Sequence, residues 1–178
     1  MKSTKSQQFV GGGLVSAVLL IIMITSGCTS NKVSGSGASE TEYKTYDSSE
    51  FGYSVEVPSN FTISGSSSDN PLGWIGPDKT ANIQIFAQHT SNDGQDAASL
   101  LGQCKQQVTA SGGVIDTVQQ AGNSYTCSGE DANHNVYFER GFIEQEVQVV
   151  LVWSCPYSDK SRWSSVMQQV SASLKITR

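Results

Sequence analysis

Hydrophobic and polar positions alternate with a period of two from Asn135 to Cys155, and the rest of the chain reads outward from that stretch. Val136, Phe138 and Phe142 fall on one side, with Tyr137, Glu139 and Gly141 between them. Val147, Val149, Leu151 and Trp153 repeat the alternation against Gln148, Val150, Val152 and Ser154. Glu144-Gln145 lies between the runs, without proline and too short for a helical crossover, so the runs should pair as an antiparallel hairpin. Val150 and Val152 make the second run apolar on both faces, which predicts an interior strand covered from both sides.

The same pattern extends to the other elements. Tyr43 to Tyr46 reads as a short edge strand, and Phe51, Tyr53, Val55 and Val57 share one face of a strand that Pro58 stops. Phe61 to Ile63 continues briefly before a Ser/Gly/Asn loop from Ser64 to Asn70. Pro71 to Pro77 reads as turn, with Trp74 and Ile75 packed beneath it. Ala81 to Ala87 alternates again. A helix follows, capped by Asn92-Asp93-Gly94, with Ala97, Leu101, Cys104 and Val108 on one stripe and Gly112-Gly113 at its end. Val114–Val118, Ser124–Ser128, Asn135–Ile143 and Glu146–Ser154 then predict four strands joined by short polar turns. Pro156-Tyr157-Ser158 opens a last helix whose buried stripe is Trp163, Val166, Met167, Val170 and Leu174. The order gives an α+β fold: an antiparallel sheet with a C-terminal meander, packed by two helices.

The start of the chain follows another logic. Lys2 and Lys5 precede the apolar run Leu14–Ile24, eleven residues long, which reads as the positive and hydrophobic regions of a secretory signal. It falls short of the ~20 residues that span a bilayer; an uncleaved anchor counted from Phe9 to Gly27 is the alternative. Thr25-Ser26-Gly27-Cys28 resembles the lipobox of prokaryotic lipoproteins, with Thr25 in place of the usual Leu, Val or Ile. The resemblance implies a signal over residues 1–27, and palmitate or a related acyl group on Cys28. Residues 28–42 are rich in Ser and Gly and bury too little to order themselves, so they read as a flexible tether. Thr29 to Thr41 would reach roughly 20 Å. Residues 43–178 form the folded domain, held to a cell membrane on its extracytoplasmic side.

Charge narrows the partners. The chain has 11 basic and 16 acidic residues, and removing residues 1–27 takes away two lysines and no acid, leaving −7. Nucleic acid and anionic lipid surfaces both call for a basic footprint that such a balance lacks.

Tyr46…Phe51-Gly-Tyr-Ser-Val-Glu-Val-Pro-Ser-Asn-Phe61 resembles the opening of PsbP-like domains, which include photosystem II extrinsic subunits and many small prokaryotic lipoproteins. The likeness runs through the helix, the meander and the closing Ala172-Ser-Leu174, although Phe61 stands where Trp is commoner. It implies a PsbP-like α+β domain with no shared catalytic residue. The function it suggests is binding or assembly at the cell envelope, with an accessory subunit of an envelope complex or a small hydrolase as alternatives.

Site chemistry is sparse. His89 and His134 stand at strand ends with no Cys or carboxylate at metal-ligand spacing, so neither a metal nor a cofactor is indicated. The GxSxG, P-loop and GxGxxG patterns are absent. Asp47 with Glu50, and Glu130 with Asp131, read as solvated turn formers. Asn60-Phe61-Thr62 fits a glycosylation sequon, which would normally mean nothing in a bacterium and includes Phe61, read as partly buried. Trp74, between Gly73 and Gly76-Pro77, is the one aromatic read as a possible ligand contact.

Three further cysteines enter an oxidising compartment. Cys127 and Cys155 fall on strands separated by Asn135–Ile143, near ~9.6 Å apart, beyond the reach of about 7 Å that a disulfide allows. Cys104 faces the sheet and can pair with either. The shorter loop favours Cys104–Cys127, leaving Cys155 free; three reduced core thiols remain the alternative.

Overall fold

The computed structural model of the chain describes residues 41–64, 71–90, 95–144 and 146–177. Among the described residues ten strands make two antiparallel sheets. The large one has seven strands in the order β3 (Thr62–Ser64), β4 (Leu72–Ile75), β5 (Asn82–His89), β9 (Val147–Pro156), β8 (Asn135–Glu144), β7 (Ser124–Glu130) and β6 (Val114–Ala121). The small one is β1 (Tyr43–Ser48), β2 (Tyr53–Pro58) and β10 (Lys175–Ile176), with β2 in the middle. The helices are α1 (Ala97–Ala110) and α2 (Lys160–Ser173).

The central hairpin forms in the expected register, with Val136 opposite Cys155, Phe138 opposite Trp153 and Phe142 opposite Val149. β9 lies between β5 and β8, and Val150 and Val152 are buried alongside Val149, Leu151 and Trp153. Both faces of the sheet are therefore covered here. On one face Trp163, Val166 and Val170 of α2 and Tyr53, Val55 and Val57 of β2 close a core around Trp153, Ile83, Ile85 and Leu151. Phe61, Trp153 and Trp163 meet within that core at ring separations of 5.6–6.3 Å. On the other face Leu100, Leu101, Cys104 and Val108 of α1 seal the outer end of the sheet against Tyr125 and Cys127.

Four expectations need correction. Trp74 does not sit in a loop: Leu72–Ile75 pairs with both β3 and β5. Its alternation is only four residues long, and the glycines and prolines around it mask the strand signal. The cap of α1 is Asp96, whose side chain accepts from the Ser99 N–H at 2.8 Å while Ser99 Oγ accepts from the Asp96 N–H at 2.9 Å. Asn92-Asp93-Gly94 lies outside the described residues. Met167 is half-buried and does not belong to the fully buried stripe. The sheet is also divided: β2 pairs with β1 on one side and on the other with β10, a two-residue strand after α2 too short to show a period.

Candidate functional site

Two places bring reactive or polar side chains together. The first lies beneath α1, on the face of β7 and β8 away from the main core. Period two puts Tyr125 and Cys127 on that face of β7, and Tyr137, Glu139 and Gly141 on that face of β8, with Cys127 opposite Glu139 and Tyr125 opposite Gly141. Gly141 makes the arrangement possible. A Cβ there would stand 2.2 Å from Tyr125 Cε1, so the absent side chain is the space the ring occupies. The Tyr125 hydroxyl thereby reaches Glu139 Oε1, and the Tyr137 hydroxyl donates to Oε2.

Glu139 is buried, and burial raises its carboxyl pKa above the usual range, against the pull of the two tyrosine hydroxyls and Cys104. Burial and the nearby carboxylate push both tyrosines up as well. Cys104 Sγ lies 3.9 Å from the Tyr137 hydroxyl, and the neighbouring Cys127 thiol, together with burial, raises the Cys104 thiol. The Cys104 thiol is therefore protonated and a poor nucleophile, whereas contact with Cys104 lowers the Cys127 thiol. Cys104 is 3 % exposed and Cys127 0 % exposed. Cys104 of α1 and Cys127 of β7 are thus neighbouring free thiols between helix and sheet.

The second place is a groove of about 340 Å³ on the outer face of the small sheet, lined by Thr45, Ser54, Glu56, Gln169, Ser173 and Lys175 among others. Sequence reading missed it because its residues come from β1, β2, α2 and β10. Only the polar alternates of β2 hinted at a solvated face.

The residues singled out from the sequence are scattered. Cys28 lies outside the described residues. Trp74 is 4 % exposed and meets Tyr46 edge-on at 5.4 Å, so its ring packs within the core. His89 stacks against Phe51 at 5.4 Å. His134 sits at φ 60° in an exposed turn with its Nδ1 on Glu130, and among the described residues no hydroxyl or thiol hydrogen-bonds its ring. Asp131 holds the same turn through the backbone N–H groups of Asn133 and Asn135. Cys104, Cys127 and Cys155 are all buried free thiols, and the first two are neighbours. No group of three His, Cys, Asp or Glu side chains among the described residues is placed to hold a metal ion.

No family model matches the sequence. No curated protein matches it either. Solved structures do. Cyanobacterial PsbP (CyanoP) from Synechocystis sp. PCC 6803 superposes with a TM-score of 0.61 at 11 % identity, over 81 % of this chain and 98 % of that one. The fold is PsbP-like. The Ran-binding protein Mog1p of Saccharomyces cerevisiae shares it with a TM-score of 0.51 at 13 % identity, over 77 % and 96 % of the two chains. LpqN of Mycobacterium tuberculosis, described as involved in cell envelope biogenesis, does so at 0.51 and 14 %, over 78 % and 92 %. At these identities the likeness is one of fold alone.

Proposed function

We propose that the chain is an extracytoplasmic lipoprotein whose PsbP-like domain binds or assembles with another component of the cell envelope without catalysing a reaction. The observation that carries this is the placement of Cys28 after Ser26-Gly27, directly behind an eleven-residue apolar run and ahead of a Ser/Gly-rich tether. Acyl chains on Cys28 would hold residues 43–178 near the membrane, and more than one chain is needed because a single chain attaches only marginally. LpqN, described as involved in cell envelope biogenesis, and the Ran-binding Mog1p are precedents for an envelope role and for partner binding on this fold. The covalent tie from Cys104 to Cys127 belongs to the same reading, since export would expose the thiols to oxidation as the chain folds.

Fractionation tests the anchor. Cys28→Ser should move the protein out of the membrane fraction or leave it as unprocessed precursor; a variant that stays processed and membrane-bound contradicts the proposal. The rival, a small hydrolase, rests on the His134–Glu130 contact. Replacing His89 and His134 together by Gln should leave folding and envelope function intact, and loss of function in a folded double variant would revive that rival.

A further inference from the structure

The groove on the small sheet is built around a charge pair that does not close on itself. Alternation along β2 sends Tyr53, Val55 and Val57 into the core and turns Ser54 and Glu56 to the opposite face. Thr45 of β1 lies in register with Glu56, and Lys175 of β10 with Ser54. The last turn of α2 supplies the wall. Ser173 Oγ accepts from the Glu56 N–H at 2.8 Å and donates to the Val170 carbonyl at 2.7 Å. Gln169 Nε2 donates to Glu56 Oε2 at 3.0 Å, which fixes one carboxylate oxygen at the rim.

Lys175 is the diagonal neighbour of Glu56, a relation that sets residues about 7–8 Å apart. Among the described residues the ion pairs are Glu130–His134 and Asp78–Arg162, so Lys175 and Glu56 are not joined to each other. Beside them Ser54, in register with Lys175 on one side and Asp47 on the other, is 3 % exposed, and its Oγ has no hydrogen-bond partner among the described residues. Buried hydroxyls in folded proteins are nearly always partnered. A separated cation and anion with an unpartnered hydroxyl beside them make a site for a molecule that carries both charges.

We infer that this groove binds a small zwitterion, its ammonium group toward Glu56, its acidic group toward Lys175 and its polar centre over Ser54. The volume lies at the small end of ligand sites. A lone cation or anion would satisfy one side chain and leave the other unmatched, and a neutral polyol would match neither. The inference takes up the binding role proposed above and does not depend on the anchor.

Calorimetric titration of the full chain in detergent micelles tests it, with L-serine and O-phosphoethanolamine as probes and lactate, ethanolamine and glycerol as controls. At least one zwitterion should bind and shift the amide resonances of Ser54, Glu56 and Lys175. The controls should bind about tenfold more weakly or worse. Which probe binds tells whether the acidic group is a carboxylate or a phosphate. Glu56→Gln and Lys175→Met, both at solvent-facing positions, should each cost about tenfold in affinity without moving the unfolding midpoint. The inference is overturned if neither zwitterion shifts those resonances, if the singly charged controls match them, or if the two folded variants bind as the wild type does.

Discussion

At the scale of single residues, Gly141 and Glu139 decide how the face beneath α1 is made. Gly141 is the hole into which the Tyr125 ring fits. Gly141→Ala should destabilise the domain by about 1–3 kcal/mol through overpacking, and thermal unfolding should show a midpoint several degrees lower. Shrinking Tyr125 to Val in the same chain should recover part of that loss, because the two residues share one space. Strictly additive losses would mean that the ring does not need the gap.

Glu139 makes a pH prediction whose sign follows from burial. Its folded pKa is raised, so the folded state holds the proton more tightly than the unfolded chain does. Its contribution is then fully present below the unfolded value of about 4.3, declines as pH rises toward the folded value, and is flat above it. The groups facing it are Tyr125, Tyr137, Cys104 and Cys127. Glu139→Gln should remove this decline, so denaturant midpoints of the two proteins should diverge in favour of the variant as pH rises. A wild type that gains on the variant over that range would show that the tyrosine hydroxyls outweigh desolvation.

At the scale of elements, period and punctuation carried most of the information. The β8–β9 hairpin, the four-strand meander and the two helical stripes were legible because each runs long enough to show its period. β4 was not, since Gly73 interrupts four residues whose pairing on both sides is a tertiary fact. β10 was not either: two residues become a strand only because α2 ends beside β2. The strand order β9-β8-β7 keeps Cys155 away from Cys127, and α1 brings Cys104 to Cys127. In the exported protein, non-reducing peptide mapping should find a Cys104–Cys127 crosslink, and reducing it should cost about 3 kcal/mol for a loop of this length. A Cys127–Cys155 crosslink would contradict the strand order itself.

For the whole molecule, fold and site were legible to different degrees. The α+β class follows from element order, and solved structures at low identity share it. The groove was invisible because Thr45, Glu56, Gln169 and Lys175 are spread over most of the domain and meet only through β2. The cluster at Glu139 was hidden differently: Tyr137 and Glu139 are alternates of β8 that the pattern places opposite the apolar face, and only α1 laid over them buries them. The proposed anchor stands apart from both, because it rests on the order of residues before the domain begins.

Intact-mass spectrometry of the protein extracted from its own membranes tests the anchored reading most directly. The account predicts a chain beginning at Cys28 and heavier than residues 28–178 by a diacylglyceryl group, with or without a third acyl chain. A mass equal to the unmodified chain from Met1 would contradict it and leave an uncleaved N-terminal segment as the means of attachment.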